Sequence, residues 1–317
     1  DFAASAATVL NLSQDHLDWH GGMQAYAADK ARVFGPQPWN LRGAPGLMVL
    51  NRDDAAVMAM RRDGRRACSF GLDAPRGDGD WGIVREHGMD WLARARADDS
   101  EPRPTSRRAR SAAAEAPPPQ VQALMPADAL RIRGRHNQAN ALASLALAAS
   151  TGAALAPMLH ALREYRGEPH RMQSLGLLDG VEWIEDSKGT NVGATVAALQ
   201  GLDRPALLIA GGDGKGQDFA PLAQAARDRV RCALLIGRDA PALRQALGAG
   251  VDSEMLPDLR AAVRRAAELA RSGEVVLLSP ACASLDMFRD YKHRAEVFAQ
   301  ELAELAAERG AVLEGAP

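Results

Sequence analysis

Two short polar segments of the 317-residue sequence combine glycine with lysine, which suits them to binding anions. Residues 186–191 read Asp-Ser-Lys-Gly-Thr-Asn, and residues 211–215 read Gly-Gly-Asp-Gly-Lys. Glycine lets the backbone approach an anion closely, and lysine adds a positive charge for phosphate or carboxylate. Neither segment is a P-loop, because the chain contains no Gly-x4-Gly-Lys-Ser/Thr pattern. Taken singly, each segment is also compatible with an ordinary turn between a strand and a helix.

A second polar cluster lies near the start, where Asp15-His16-Leu17-Asp18 is followed by Lys30. The helical spacing of apolar residues between Met23 and Phe34 places Lys30 on the apolar stripe of the helix. Burial there would favour the neutral amine, the form that reacts covalently. The alternative is that Lys30 extends along its stem to solvent. His16, beside carboxylates, fits a metal ligand and an ordinary loop histidine equally well.

The second half of the sequence alternates short apolar strands with helices. We predict strands at 181–184, 206–210, 233–236 and 275–278, separated by helices near 192–199, 219–230, 240–247 and 259–270. This alternation is typical of an open, mostly parallel α/β sheet. Ligands of such sheets bind beyond the carboxyl ends of the strands, and both glycine–lysine segments directly follow a predicted strand.

The first half is predicted to form a separate domain, because 317 residues suit two cores of about 150 residues each. We place strands at 7–12, 46–50, 68–70 and 81–84, and helices at 23–34, after residue 137 and through 159–165. The domain boundary is expected near Arg166–Pro169, which divides the chain into residues 1–167 and 168–317.

Residues 94–120 differ in composition from the rest of the chain. Ala, Arg, Pro, Ser and Glu dominate, and large apolar side chains are almost absent. We predict a flexible surface insertion. A basic arm that binds a partner is the alternative, which the acids and prolines around Arg107, Arg108 and Arg110 disfavour.

The overall composition is that of a soluble globular protein, with 47% apolar and 25% charged residues. A net charge of -2 gives no electrostatic reason to expect a nucleic-acid partner, and no apolar run has the roughly 20 residues of a membrane helix. Cys68, Cys232 and Cys282 lack metal-ligand spacing, so we predict buried free thiols in a reducing compartment. The start lacks an initiator methionine and a signal-peptide core, which suggests truncation.

Taken in order, the motifs resemble those of the Mur ligases, a family related to the folylpolyglutamate synthetases. The early motifs are Asn-Leu-Ser-Gln-Asp-His-Leu-Asp at 11–18, Lys30, Gly-Arg-His-Asn-Gln-Ala-Asn-Ala at 134–141, and His170-Arg171. The later motifs are the segments at 186–191 and 211–215 and Leu-Ser-Pro-Ala-Cys-Ala-Ser-Leu-Asp at 278–286. These later motifs are similar to those of the D-glutamate-adding branch of the family. The resemblance covers almost the whole chain except residues 94–120.

The resemblance implies part of a central ATPase domain with a mostly parallel sheet, followed by a Rossmann-like C-terminal α/β domain. It implies an enzyme that uses ATP to phosphorylate the carboxylate of UDP-N-acetylmuramoyl-L-alanine, after which the D-glutamate amine attacks the acyl phosphate. Such an enzyme works in cytoplasmic peptidoglycan precursor synthesis. We therefore expect small-molecule substrates, ATP and Mg²⁺ as cofactors, a monomer, and neither nucleic acid nor membrane as a partner.

The resemblance also implies roles for individual residues. Lys30 matches a lysine that is carbamylated to become an anionic magnesium ligand, and His16 matches a histidine that contacts magnesium. The residues matching the ATP site are Asn137 and Asn140 on the adenine side, Arg171 at the phosphates, and Asp186 and Lys188 around the ribose and phosphates. Lys188, with Lys30 and His16, is a candidate catalytic residue.

Five residues match positions around D-glutamate in the family. They are Thr190, Lys215, Ser284, Leu285 and Tyr291. Lys215 is expected to pair with a substrate carboxylate. Tyr291 stands where the family often has phenylalanine, a tolerable change for an apolar wall.

The family's P-loop, its uridine-nucleotide-binding domain and a glutamate for a second magnesium would all precede residue 1. We therefore expect this chain on its own to be inactive. Two alternatives stay open: another amino-acid ligase of the Mur or folylpolyglutamate synthetase type, and a nucleotide-binding fragment without chemistry. The features that distinguish the ligases are Lys215 and the Ser284-Leu285 pair.

Overall fold

The computed structural model describes residues 4–14, 17–35, 46–97, 119–132 and 134–315. They form two compact units. The first unit extends to Leu12 and continues from Ala27 to Arg166, and the second contains residues 13–26 and resumes at Gly167.

A mixed sheet forms the centre of the first unit. Its strands are Ala6–Val9 (β1), Leu47–Asn51 (β2), Arg66–Phe70 (β3), Trp81–Glu86 (β4), Met89–Arg96 (β5) and Gln120–Pro126 (β6). They lie in the order β1-β2-β3-β4-β5-β6. The pairs from β1 to β4 are parallel, whereas β5 and β6 are added antiparallel.

The described helices before residue 167 are short except for one. They are Leu17–His20 (α1), Met23–Ala31 (α2), Ala55–Met58 (α3), Arg135–Ser150 (α4) and Leu155–Glu164 (α5), with 3-10 turns at Arg32–Phe34 and Ala127–Ala129. The long helix α4 is rich in Ala and Leu, which are strong helix formers.

Two apolar layers flank the first sheet, because alternate side chains of a strand face opposite sides. In β2, Val49 belongs to the core that contains Leu142 and Leu145 of α4. Its neighbours Met48 and Leu50 belong to the opposite core, which contains Val9, Phe34 and Val57. Each fully buried side chain of this size contributes about 1.5–3 kcal/mol to stability.

The second unit is a doubly wound α/β sheet. Its strands are Gln173–Leu178 (β7), Val181–Glu185 (β8), Ala206–Gly211 (β9), Val230–Ile236 (β10), Asp252–Met255 (β11) and Val275–Leu278 (β12). The spatial order is β11-β10-β9-β12-β8-β7. All neighbours are parallel except the antiparallel edge pair of β7 and β8.

Helices cover both faces of this second sheet. They are Val192–Gln200 (α6), Ala220–Ala226 (α7), Ala240–Leu247 (α8), Leu259–Leu269 (α9) and Tyr291–Glu308 (α10), with a 3-10 turn at Gly248–Gly250. Leu208 of β9 shares a core with Leu222 and Leu243, from α7 and α8. The next residue, Leu207, shares the opposite core with α9 and α10. A strand covered on both faces is apolar throughout, as β9 is.

The predicted fold class is confirmed: both sheets are mostly parallel and alternate with helices. The predicted helix 219–230 is too long, since α7 ends at Ala226 and Val230 already begins β10. Val230 belongs to a strand because β10 pairs with β9 and β11 in the sheet. Strands β5, β6, β7 and β11, the short helices α1 and α3, and the last helix, α10, were not predicted.

The flexible insertion proposed for residues 94–120 is wrong at both ends. Arg94 to Arg96 belong to β5, and Gln120 begins β6. Ala93 and Ala95 are fully buried, so small residues form the inward face of β5. The arginines that alternate with them make the segment read as polar in the sequence. Residues 98–118 of the proposed insertion lie outside the described residues.

All three cysteines are free thiols. Cys232 and Cys282 are buried as predicted, whereas Cys68 is only partly buried. Burial raises the pKa of the Cys282 thiol to about 12. Within the described residues, no helix combines the length and the apolar character that a membrane span requires.

Candidate active site

Three loops leave the second sheet side by side at its carboxyl edge. Strand β8 ends at Glu185, β9 ends at Gly211 and β12 ends at Leu278. Because β12 lies between β8 and β9 and all three are parallel, the segments 186–191, 211–215 and 279–286 begin at the same edge. The two segments singled out for anion binding are therefore neighbours in space, with the third motif between them.

Backbone hydrogen bonds join these three loops to one another. The bonds are from Ala281 N–H to Gly189 O (2.9 Å), from Gly211 N–H to Pro280 O (2.8 Å), and in both directions between Asp213 and Ala283 (3.0 and 2.8 Å). The loops thus form one connected surface whose backbone groups hold one another in place.

Glycine is required where the 211–215 loop begins. Gly211 has a φ of +128°, and a Cβ there would lie 1.9 Å from the carbonyl oxygen of Ile236. Gly212 has a φ of +129°, and its Cβ would lie 2.2 Å from the carbonyl oxygen of Ala283. No other residue type fits this backbone or this close approach of neighbouring chain segments.

Asp186 lies buried directly beyond β8. Its carboxylate accepts hydrogen bonds from the Ser279 hydroxyl (2.7 Å) and from the Met172 backbone N–H (3.2 Å). Burial raises the pKa of this carboxyl to about 6, because the loss of water outweighs the opposing effect of the Ser279 hydrogen bond. The side chain can therefore change its charge close to neutral pH.

Lys188 is oriented by aromatic and backbone contacts. Its backbone N–H donates to His170 O at 3.1 Å, and its ammonium lies 4.0 Å from the centroid of the Tyr291 ring. His170 packs edge-on against the same ring, with 5.7 Å between centroids. On its other side, His170 Nδ1 lies 2.8 Å from an oxygen of the buried Glu185 carboxylate. The ammonium is thus held over an aromatic face.

The other candidate residues of the second unit differ in exposure. Lys215 is exposed with a φ of +50°, and its backbone N–H donates to the Asp213 carboxylate at 3.0 Å. Ser284 is buried, whereas the following residue, Leu285, is 69% exposed. Thr190 lies partly exposed in the 186–191 loop, and Arg171 is exposed next to His170.

A buried arginine joins two of the loops and was missed in the sequence. Arg294 of α10 is fully buried and donates to both the hydroxyl and the carbonyl oxygen of Ser187, each at 2.9 Å. It also donates to the carbonyl oxygen of Cys282 at 3.2 Å. Burial lowers the pKa of its guanidinium to about 10. No local sequence signal identifies this residue, because Ser187 lies 107 residues earlier in the chain.

In the first unit, Asn137 and Asn140 lie on the opening turns of α4. The Asn140 side-chain amide donates to the side-chain oxygen of Asn137 at 3.3 Å. The helix begins after Gly134, which has a φ of +96° and whose carbonyl accepts from the Asn137 backbone N–H at 3.0 Å. The two asparagines thus sit together on neighbouring turns.

Of the two interpretations of Lys30, the buried helix face is wrong and the side chain that extends to solvent is confirmed. Lys30 is exposed, and Tyr26 is the buried side chain of α2. The helix ends at Ala31 and passes into a 3-10 turn, so the period extrapolated from Met23 to Phe34 does not hold over its full length. His16 lies outside the described residues.

Among the residues that the structure describes, no group of three or more His, Cys, Asp or Glu side chains is placed to hold a metal ion. Loops that bind anions through lysine and backbone N–H groups do not need such a cluster.

Family models match most of the chain. The Mur ligase middle domain matches residues 2–148, and the Mur ligase glutamate ligase domain matches residues 170–282. The first match contains Lys30, Asn137 and Asn140, and the second contains the 186–191 and 211–215 loops.

Curated relatives include enzymes from two Burkholderia species. UDP-N-acetylmuramoylalanine--D-glutamate ligases of Burkholderia pseudomallei and Burkholderia mallei are each 57% identical over 98% of this chain. The chain spans 62% of the length of these relatives.

Solved structures share the fold at low sequence identity. MurF of Acinetobacter baumannii matches with a TM-score of 0.60 and 16% identity, over 95% of this chain and 60% of that one. The UDP-N-acetylmuramate-alanine ligase MurC of Thermotoga maritima matches with a TM-score of 0.59 and 16% identity, over 96% and 61% of the two chains. With both Mur ligase domain models matched and 57% identity to curated members, this chain belongs to the Mur ligase family.

Proposed function

We propose that the complete gene product is an ATP-dependent ligase that adds D-glutamate to UDP-N-acetylmuramoyl-L-alanine. The observation that carries this proposal is the set of three joined loops at one sheet edge, with Lys188 and Lys215 on two of them. The relatives named for this activity, which share 57% identity over 98% of the chain, support the choice of substrates.

The proposed reaction has two steps. A carboxylate oxygen of UDP-N-acetylmuramoyl-L-alanine attacks the γ-phosphorus of ATP, forming an acyl phosphate and releasing ADP. The neutral amine of D-glutamate then attacks the acyl carbon and loses a proton, and the C–O bond to phosphate breaks, so that an amide and inorganic phosphate are formed. Because phosphoryl transfer needs little covalent chemistry from the protein, the enzyme contributes mainly positioning and neutralisation of charge.

The 186–191 loop is proposed to serve the nucleotide. Lys188 would offset phosphate charge as a catalytic residue, and Asp186 would contact the ribose and phosphate region. Arg171 would reach the phosphates, in keeping with its exposed position next to His170. Asn137 and Asn140 of the first unit are proposed to hold the adenine side of ATP.

The 211–215 and 279–286 loops are proposed to bind D-glutamate. Lys215 would pair with one of its carboxylates, and its exposed position leaves the ammonium accessible. The residues proposed to surround the rest of the amino acid are Thr190, Ser284, Leu285 and Tyr291.

We also propose that Lys30 and His16 hold a magnesium ion. Lys30 would act as a carbamate formed from CO₂, and the bound ion would neutralise phosphate charge. The exposed position of Lys30 removes burial as the reason for a neutral amine. We further propose a monomer that acts in the cytoplasm on small molecules, without a nucleic-acid or membrane partner.

The amino-acid site is tested by substituting Lys215 with Met in the complete gene product. Loss of a charged hydrogen bond of about 1.5–3 kcal/mol should raise the KM for D-glutamate roughly 10- to 100-fold. The KM for ATP should stay within about threefold, because the lysine binds the amino acid alone. The matched control is Lys292→Met, which removes an exposed lysine on α10 in the same unit.

Steady-state phosphate release gives both constants. An unchanged KM for D-glutamate in the Lys215→Met enzyme would remove Lys215 from the amino-acid site. A complete gene product that releases no phosphate with D-glutamate would refute the proposed activity itself.

A further inference from the structure

Lys188 has an unusual environment for a lysine proposed to meet phosphate. Within the part of the chain that the structure describes, no carboxylate forms an ion pair with its ammonium. The contact shown for the ammonium is the face of Tyr291, 4.0 Å from the ring centroid. A cation at this distance from a tyrosine face is attracted by the negative face of the ring.

The partners of this contact are fixed from both sides. The Ser187 hydroxyl donates to the carbonyl oxygen of Tyr291 at 2.8 Å, which fastens the first residue of α10 to the loop that carries Lys188. The backbone N–H of Lys188 donates to His170 O at 3.1 Å, and the His170 ring packs edge-on against Tyr291. Ser187 and His170 therefore hold both Tyr291 and the backbone of Lys188 in place.

Holding Lys188 by a ring differs in effect from holding it by an acid. A carboxylate partner would neutralise the ammonium and would have to be displaced when an anion binds. A ring orients the side chain while leaving its full positive charge available, and it reduces the rotamer entropy that a free lysine would lose on binding.

We propose that Tyr291 is a positioning residue that holds the Lys188 ammonium ready for the phosphate it meets. This inference rests on the proposed function and assigns the ring a role beyond that of an apolar wall for the amino acid. It predicts that the electron density of the ring face, and not its size or its hydroxyl group, governs how well Lys188 works.

The test replaces Tyr291 in the complete gene product with phenylalanine and with phenylalanines that carry one, three and five ring fluorines. Fluorines withdraw charge from the ring face with little change in shape. Relative to Tyr291→Phe, the pentafluoro ring should lower kcat/KM for ATP by about tenfold, with graded effects between, while the KM for D-glutamate stays within about twofold. Because the ring shape is kept, these variants should fold.

Two controls separate this effect from others. The same residues placed at position 165, an exposed tyrosine of the first unit, should give no graded change. In a Lys188→Gln background, the ATP dissociation constant measured by titration calorimetry should lose its dependence on the number of fluorines, because the cation is gone.

Each outcome decides the proposal. A graded loss in kcat/KM for ATP, together with an ATP dissociation constant that does not depend on the number of fluorines in the Lys188→Gln background, supports it. A series that changes only the KM for D-glutamate would make Tyr291 a wall of the amino-acid site, and a flat series would make the ring inert; both overturn the proposal. These results require a wild-type enzyme that turns over with D-glutamate, so failure of the proposed function itself is recognised first.

Discussion

Asp186 is a site residue whose charge depends on its surroundings. Its carboxyl is buried at the start of the 186–191 loop, and burial raises its pKa from 3.8 to about 6. Between these two pH values the folded protein keeps a proton that the unfolded chain releases. The free energy of unfolding therefore contains a component that falls as the pH rises from about 4 to about 6 and is constant above that.

Replacing Asp186 with Asn should remove this pH-dependent component. The free energy of unfolding of the variant relative to the wild type should rise by up to about 3 kcal/mol between pH 4 and pH 7, because the amide carries no buried charge. Urea unfolding of both proteins across this range gives the difference. Asp203→Asn, at an 81% exposed side chain, is the matched control. A difference for Asp186→Asn that does not depend on pH would contradict the assigned burial effect.

Lys30 offers a second prediction at the scale of one residue. If its carbamate organises a magnesium ion, Lys30→Ala in the complete gene product should lower kcat by roughly a hundredfold or more. Added formate or acetate should restore part of the activity, since a short carboxylate can supply the missing oxygen ligand. Gln24→Ala, an exposed change in the same helix, is the control. Full activity of Lys30→Ala without any additive would exclude the metal-ligand role.

Part of the site could be predicted from residue types in the sequence, and the rest is recognised only from contacts in the structure. The lysines at 188 and 215 could be selected from the sequence because glycine and lysine after an apolar strand have a local chemical meaning. Arg294 could not, because its role depends on contacts with Ser187, which is 107 residues away in sequence. The exposure of Lys30 could not be predicted from the sequence either, because it depends on where α2 ends.

At the scale of the element, the site depends on how closely the β9 loop can approach its neighbours. Gly211 and Gly212 allow the chain to turn against β10 and the 279–286 loop without a side chain in the way. Both adopt φ values near +128°, where other residue types are strained. The turn after β9 is therefore set by sterics as much as by hydrogen bonds.

Substituting Gly211 with Ala should accordingly lower the free energy of unfolding by about 3 kcal/mol or more, because the new Cβ would collide with the Ile236 carbonyl oxygen. Gly216→Ala, at a φ of +73° with no atom within 4 Å of the added Cβ, should cost only about 1 kcal/mol. Chemical denaturation of the two variants gives both values. Equal losses would show that the φ angle alone, and not the close approach, constrains the loop.

Elements were predictable where their pattern was strong. The buried strands β8, β9 and β12 were located within a residue or two, because a continuous apolar run leaves few alternatives. Strands β5 and β6 were misassigned because small alanines provide the inward face of β5. The polar edge strand β11 has no apolar pattern at all and is recognised only from its pairing with β10.

At the scale of the whole molecule, two α/β units carry the family's motifs on separate sheets. The loops of the second sheet hold the lysines proposed for phosphate and D-glutamate, and α4 of the first unit holds the paired asparagines proposed for adenine. The order of these motifs along the chain allowed the fold class to be predicted. The proposed reaction requires that the complete gene product joins D-glutamate to its nucleotide substrate.

The most direct test is phosphate release by the complete gene product supplied with ATP, magnesium and UDP-N-acetylmuramoyl-L-alanine. We predict that D-glutamate supports release at least about a hundredfold faster than L-glutamate or L-lysine, because the amino acid must place two carboxylates and its amine correctly at once. Phosphate release that is independent of D-glutamate, or equally fast with L-lysine, would contradict the assignment.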